Sequence, residues 1–329
     1  MLAEAFPRLA VHLRSLLPDA DVRLAKGAQS IEVQLPNYPS WTLHVSGNVY
    51  RDEFLCIQTS LVLHYECLCR LPEDDFNRFI AAENLGLRGA TIVVENSKGP
   101  RTLRIRTSFI GQKGRSYDEA ENLAIDVVSL VRFARMLDDR IRRCTAGDDF
   151  SFELYYSTYL SKGVGHIRYI NYARHIFKGS MNRVFGQVAQ LFKEDHGCDV
   201  VFENDIAYVR GPNSDVEITL RVPEQVPMAV CSALLASFGG RPRDIFAFVT
   251  RLNAKVNFGH FEVSADGSKI FFTVWKHLTN DLRLYSLDQL LQSITEAQWL
   301  LKKELAAHET AKGEKRMETT AAYDQRSAA

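Results

Sequence analysis

The chain has 329 residues, 46% hydrophobic and 24% charged, which is apolar material enough for two domains with a core each. Its 40 basic residues balance 40 acidic ones, so no global field draws it toward nucleic acid or a membrane, and any electrostatic function must be local. No apolar run reaches the roughly 18 residues of a spanning helix, and Met1-Leu2-Ala3-Glu4-Ala5-Phe6 has neither a basic leader nor a long apolar stretch, so no membrane role and a cytoplasmic location are expected.

In chain order, Phe6, Leu9, Leu13, Leu16 and Leu17 predict a helix over residues 3 to 17, ended by Pro18. Short alternating or β-branched stretches follow at Ser30 to Leu35, Trp41 to Val45, Phe54 to Ser60 and Val62 to Leu71, and read as an antiparallel meander. Pro72-Glu73 opens a helical pattern, Pro being tolerated in a first turn. Ala90 to Glu95 and Leu103 to Phe109 then form a strand pair. Ser116-Tyr117-Asp118-Glu119 is a capping box for a helix whose apolar face carries Ala120, Ala124, Val127, Leu130 and Val131.

Residues 144 to 180 form a connector too aromatic for a flexible linker, with Tyr155, Tyr156, Tyr159, Tyr169, Tyr172 and Phe177. Ile167, Ile170, Ala173 and Phe177 are spaced for a helix lying on a domain. A helix near residues 181 to 195 is carried by Val184, Val188, Leu191 and Phe192, with strands at Val200 to Phe202, Ile206 to Arg210 and Val216 to Val222. After Pro223-Glu224 an extra helix is expected over Met228 to Phe238, closed by Gly239-Gly240-Arg241-Pro242. Gly259 to Ser264 and Ile270 to Trp275 are strands turned by Asp266-Gly267, and Ser286-Leu287-Asp288-Gln289 caps a last helix carrying Leu290, Ile294, Ala297, Leu300 and Leu301. Beyond Ala307 sustained apolar periodicity ends, so residues 308 to 329 are expected to be a disordered tail.

The same unit occurs twice. Phe79-Ile80-Ala81-Ala82-Glu83-Asn84 returns as Phe248-Val249-Thr250-Arg251-Leu252-Asn253, a step of 169 from Asn84 to Asn253, and the capping box returns after 170. So long a step implies a duplicated domain, since solenoid repeats run to about 20 to 50 residues. The division read from the sequence is 1–143 for a first domain, 144–180 for the connector, 181–307 for a second domain and 308–329 for the tail.

The order helix, three or so strands, helix, hairpin and long helix, with an Asn at the helix-to-hairpin junction, resembles the bacterial YbjN family. Its members are often labelled sensory transduction regulators and share their fold with type III secretion chaperones. Pro223-Glu224, Phe248 to Asn253, Gly259 to Val263, Asp266-Gly267, Ile270 to Trp275 and Ser286 to Leu301 carry the likeness, repeated by Pro72-Glu73, Phe79 to Asn84, Ala90 to Val94 and Ser116 to Val131. The resemblance implies an α+β fold of two tandem type III secretion chaperone-like, YbjN-like domains, each an antiparallel sheet packed with helices. It also implies a non-enzymatic module that binds other proteins, often as a dimer, with links to stress responses and motility.

Six cysteines are spread thinly, as reduced buried thiols are. Cys67-Leu68-Cys69, read as strand, puts two thiols on one face, but zinc ligand pairs are usually two to four residues apart and matched by a second pair, so neither metal nor cofactor is expected. From Arg88 to Arg115 the chain carries Arg88, Lys98, Arg101, Arg104, Arg106, Lys113 and Arg115 against Glu95 alone. Arg104 and Arg106 alternate with Leu103 and Ile105 and so face away from the core. That stripe could bind an acidic segment or phosphates, or be a solvated face paired with Asp118, Glu119, Glu121 and Asp126. The corresponding strand of the second copy holds Phe271, Thr273 and Trp275, which disfavours a ligand needing two identical basic faces.

Arg168-Tyr169-Ile170-Asn171-Tyr172-Ala173-Arg174-His175 interleaves cations and rings as single-strand binders do, or as a connector helix packing on a domain does. Gly163-Val164-Gly165 is no dinucleotide fingerprint, and no P-loop, His-Glu-x-x-His or Gly-x-Ser-x-Gly occurs. The reading is therefore a protein-binding adaptor, a homodimer with Arg101, Arg104, Arg106 and Trp275 as candidate partner-binding residues. The alternative is a nucleic-acid-associated protein using the basic stripe.

Overall fold

The computed structural model describes residues 2–25, 30–39, 41–50, 54–95, 101–112, 120–161, 168–169, 186–187, 189–190, 192–194, 197–204, 206–211, 216–221, 228–242, 244–277 and 285–312. They fall into two compact units, residues 1–173 and 174–329.

The first unit begins with helix α1 (Leu2–Leu16) and strands β1 (Asp21–Leu24), β2 (Ser30–Gln34), β3 (Thr42–Tyr50) and β4 (Phe54–His64). Helices α2 (Glu66–Cys69) and α3 (Glu73–Asn84) lead to β5 (Leu87–Arg88), β6 (Thr91–Glu95), β7 (Thr102–Gln112) and the long helix α4 (Ala120–Arg143). Six strands make one antiparallel sheet in the order β1-β2-β3-β4-β7-β6. Helix α1 packs on α4, and both cover one sheet face. Phe6, Leu9 and Leu13 from α1 and Ala124, Val127 and Leu130 from α4 are buried with Ile31, Val45, Leu61, Leu103 and Ile105 from the strands. Each large apolar side chain so buried contributes about 1.5–3 kcal/mol.

The first unit continues into the predicted connector. Strands β8 (Thr145–Ala146) and β9 (Asp149–Phe150), helix α5 (Phe152–Tyr155), a π-helix (Tyr156–Leu160) and β10 (Arg168–Tyr169) follow α4. The Ser151 side chain caps α5 by accepting from the Leu154 amide at 3.2 Å. Phe79, Phe150 and Tyr155 form an aromatic triangle with centroids 5.2 to 5.6 Å apart. The Tyr155 hydroxyl donates to Glu83 Oε1 at 2.7 Å, both residues being fully buried. The connector tyrosine thus belongs to the core of the first unit. Strand β10 pairs in parallel with β5, so two residues of the predicted connector helix are strand; the remainder of that helix and Gly163-Val164-Gly165 lie outside the described residues.

In the second unit, helical turns at 186–187, 189–190 and 192–194, with Ala189 and Phe192 buried, stand where the sequence predicts a helix. Strands β11 (Asp199–Glu203), β12 (Ile206–Arg210), β13 (Glu217–Arg221) and β14 (Met228–Ser237) come next. Helix α6 (Ile245–Lys255), strands β15 (His260–Val263) and β16 (Lys269–His277) and helix α7 (Tyr285–Lys312) complete it. The sheet order is β11-β12-β13-β14-β16-β15, again antiparallel throughout, so the two sheets share one strand order. The protein is α+β, with two six-stranded antiparallel sheets packed with helices.

The Asn at each helix-to-hairpin junction has a physical reason. Asn84 Nδ2 donates to the Ile92 carbonyl and its Oδ1 accepts from the Ile92 amide, both at 2.8 Å. Asn253 does the same to Phe261, at 3.0 and 2.6 Å. The clamp ties the end of α3 to β6, and of α6 to β15, with one amide side chain supplying the donor and acceptor that a buried peptide group requires.

The structure corrects several expectations. The predicted helix over Met228 to Phe238 is strand β14, placed between β13 and β16 with a bulge between Leu234 and Ala236. A central strand reads as a continuous apolar run, which periodicity alone does not separate from a buried helix, and Met, Ala and Leu favour helix. The counterpart of Pro72, 12 residues before Asn84, is consequently Pro242, 11 before Asn253, while Pro223-Glu224 lies outside the described residues.

Phe54 to Ser60 and the strand expected after it are one strand, β4, followed by α2. Cys67 and Cys69 therefore sit on a helical turn, where residues two apart do not share a face. Cys69 Sγ donates to the Arg101 carbonyl at 3.2 Å, whereas Cys67 Sγ accepts from Thr145 Oγ1 at 3.8 Å. Strand β1 was not anticipated. Helix α7 starts at Tyr285, so Ser286 lies inside it rather than at its cap, and it runs past Ala307 to Lys312; the first capping box lies outside the described residues.

Candidate partner-binding surface

Strand β7 presents Leu103 and Ile105 to the helices, as alternation requires, and Arg104 and Arg106 to the opposite face. That face is not a solvated stripe at Arg106, which is 8% exposed, and burial, with Arg104 alongside, pushes its guanidinium down to about 10; Arg88, on β5 of the two-stranded sheet, is 6% exposed. In the ladder Arg106 lies between Ser60 and Thr91, and Arg104 between Val62 and Val93. Arg101 is committed locally: its Nη1 donates to the Leu71 carbonyl at 2.8 Å and its guanidinium lies 4.7 Å from the Phe76 ring centroid. Lys98, Lys113, Arg115, Asp118 and Glu119 lie outside the described residues, and Asp126 is 8% exposed. The solvated-face expectation is thus corrected for Arg88 and Arg106. The single-strand motif beyond Tyr169 also lies outside the described residues.

The equivalent row of the second sheet has different chemistry. His260, Thr273 and Ser232 stand where Thr91, Arg106 and Ser60 stand in the first. Ser232 Oγ and Thr273 Oγ1 are 2.8 Å apart, and His260 Nε2 lies 2.9 Å from Glu262 Oε1 with both residues buried. Trp275 is half-buried, its ring 5.4 Å from that of His260. Arg101, Arg104 and Arg106 belong to the first unit and Trp275 to the second; within the first, Arg101 is committed to Leu71 and Phe76, and Arg106 is buried.

The sheet edges offer what that face does not. Among the described residues, β1 and β6 bound the first sheet, and β11 and β15 the second. Strand β15 is buried throughout. Strand β1 alternates apolar and charged residues, with Val22 buried, Asp21 and Arg23 exposed, and the two charges paired by Arg23 Nε at 2.7 Å. Such charged alternation defends an edge against adding another chain.

Strand β11, at the same place in the second sheet, carries its charges, Asp199 and Glu203, only at its two ends. It reads Asp-Val-Val-Phe-Glu, with Val201 56% and Phe202 53% exposed. Phe202 pairs with Ala207, a core position, so it lies on the helix-bearing face, and Val201 pairs with Tyr208 on the other. The turn into β12 passes through Asn204 in the left-handed region (φ 56°), which Asn tolerates better than most residues. Val200 to Phe202 was legible as strand. Its edge position was not, since strand order is set by pairing between distant segments.

No protein-family model and no curated protein matches the chain. Among solved structures it is similar to YbjN from E. coli, at 12% identity and a TM-score of 0.29, covering 37% of this chain and 92% of that one. It is also similar to the ExsC-ExsE complex, at 13% identity and a TM-score of 0.26, covering 36% of this chain and 90% of that one. No helix among the described residues is long and apolar enough to cross a membrane.

Proposed function

We propose that this chain is a duplicated, non-enzymatic adaptor or chaperone-like regulator of YbjN type, which docks a protein partner on a sheet edge. In this reading it acts in the cytoplasm, in a bacterial stress response, as a homodimer. The observation that carries it is strand β11, which among the described residues pairs with β12 alone and leaves Val201 56% exposed at the end of an otherwise well-packed sheet. Large exposed apolar groups on a strand edge promote association, and a folded protein that keeps them gains from having that edge covered. Strand addition needs only backbone hydrogen bonds and side-chain pockets, hence no reactive group. The repeated strand order and the twice-made Asn clamp support duplication.

The test is photo-crosslinking. A benzophenone side chain at Val201 should yield a discrete higher-mass adduct in native lysate, while the same group at exposed Glu217 should not. Equal adducts at both positions, or none at Val201, would remove the β11 edge from the proposal.

A further inference from the structure

We infer that helix α7 pairs with α7 of a second copy of this chain, antiparallel across a twofold axis at Trp299. This rests on the adaptor reading and locates the contact of its homodimer. Three observations set it.

The first is exposure. Trp299 is 63% exposed, more than any other large apolar residue among those described. It stands midway along a helix whose other face sends Ile294, Ala297, Leu301 and Leu305 into the second core. Tryptophan is among the residue types that most often carry the binding energy of an interface, and a packed helix holds it there at little further cost in entropy.

The second comes from the first unit. At the step of 170 residues, Trp299 falls on Ser129 of α4, while Glu296 and Lys303 fall on Asp126 and Phe133. Those three α4 residues are 2%, 8% and 5% exposed, and Phe133 belongs to the first core. The stripe that is buried on α4 is open on α7, where Glu296, Trp299 and Lys303 are all exposed.

The third is self-complementarity. Glu296 precedes Trp299 by three residues and Lys303 follows it by four, so the two charges lie two helical turns apart on one flank of the ring. Antiparallel pairing about Trp299 sets Glu296 of each copy opposite Lys303 of the other, offset by one residue or about 1.5 Å, and the twofold axis makes the contact twice. Parallel pairing would set acid against acid and base against base. A partner surface of one charge sign would repel either Glu296 or Lys303, whereas the reversed α7 satisfies both. What each group already touches leaves it available: Glu296 accepts from Gln292 Nε2 through Oε1 at 2.8 Å, and Lys303 Nζ lies 5.0 Å from the ring of its own Trp299. That second contact is a weak, exposed one that a carboxylate can replace.

Sedimentation of the full chain at low salt should show a monomer–dimer equilibrium, and Trp299→Ser should weaken it about tenfold or more. Glu296→Lys and Lys303→Glu, each alone, bring like charges together twice and should also weaken it. Mixed one to one, these two variants bring opposite charges together, so the mixture should dimerise where neither variant does by itself. That gain of association cannot come from misfolding, and it should shrink in about 0.5 M salt as the Debye length shortens.

A dimer that all three variants leave unchanged, or a mixture no more associated than its components, overturns α7 as the contact and leaves the homodimer to another surface. A chain that stays monomeric overturns the inference and the homodimer together, while crosslinking at Val201 tests the docking edge separately. A benzophenone side chain at Trp299 that captures a different protein and no second copy also overturns the inference.

Discussion

Asn253 shows how much one side chain can hold. Its amide satisfies both the N–H and the C=O of Phe261, and all of these groups are buried. Removing it leaves two peptide groups unsatisfied, each costing about 1–3 kcal/mol, so Asn253→Ala should lower stability by about 2–4 kcal/mol in urea unfolding. Asn253→Asp should be at least as damaging, since a carboxylate still accepts from the amide but faces the carbonyl without a donor. If Asn253→Asp proves neutral, the clamp is not what links α6 to β15. Gly259 is constrained in another way: its φ is +67°, and a Cβ there would run into the Thr273 carbonyl oxygen.

Cys231 supplies a pH prediction at the same scale. Burial in β14 pushes its thiol up to about 12. The folded protein therefore keeps this proton where the unfolded chain, titrating near pH 8.5, has lost it. With more protons bound in the folded state, stability falls as pH rises from about 8.5 toward 12, by about 2 kcal/mol at pH 10 for this group alone. Burial also raises Tyr65 and Tyr155, so they add to the loss at higher pH. Urea midpoints at pH 8 and pH 10 should differ less in Cys231→Ala than in the parent.

Among elements, the segment after α4 is the one whose role changed most between sequence and structure. Its aromatic content suggested packing, and the structure specifies how: Tyr155 enters the first core between Phe79 and Phe150 and donates to buried Glu83. Tyr155→Phe preserves the rings and removes only the hydroxyl, with its hydrogen bond to Glu83 and its interaction with Arg140. A loss of about 1.5–3 kcal/mol in chemical unfolding, with hydrogen exchange rising first in α5, is the expected result. No loss would mean that the rings alone secure the segment. The β15–β16 hairpin was legible because its turn is written locally. Asp266 accepts from the hydroxyls of Ser264 and Ser268 and from the Ser268 amide, and these donors hold its carboxyl down at about 2.

For the whole molecule, the adaptor reading predicts a dimer that does not depend on β11. Light scattering on the eluting protein should give twice the 37.3 kDa chain mass, unchanged by Val201→Lys. A monomer at micromolar concentration would contradict the homodimer. The two sheets share a strand order, yet the Arg106 row of one is the Thr273 row of the other, and the charges that alternate along β1 stand only at the ends of β11.

The sequence by itself determined the long helices, most of the strands and the Asn at each junction, because each is written in local periodicity or turn chemistry. Only the tertiary structure decided that Met228–Ser237 is a central strand, that Arg106 is buried, and that Val201 and Phe202 lie on an edge. The reason is common to all three. Whether an apolar run becomes strand or helix, whether a cation meets water, and whether a strand has one neighbour or two are settled by segments tens of residues away, and pairing across that distance leaves no periodic trace in either partner.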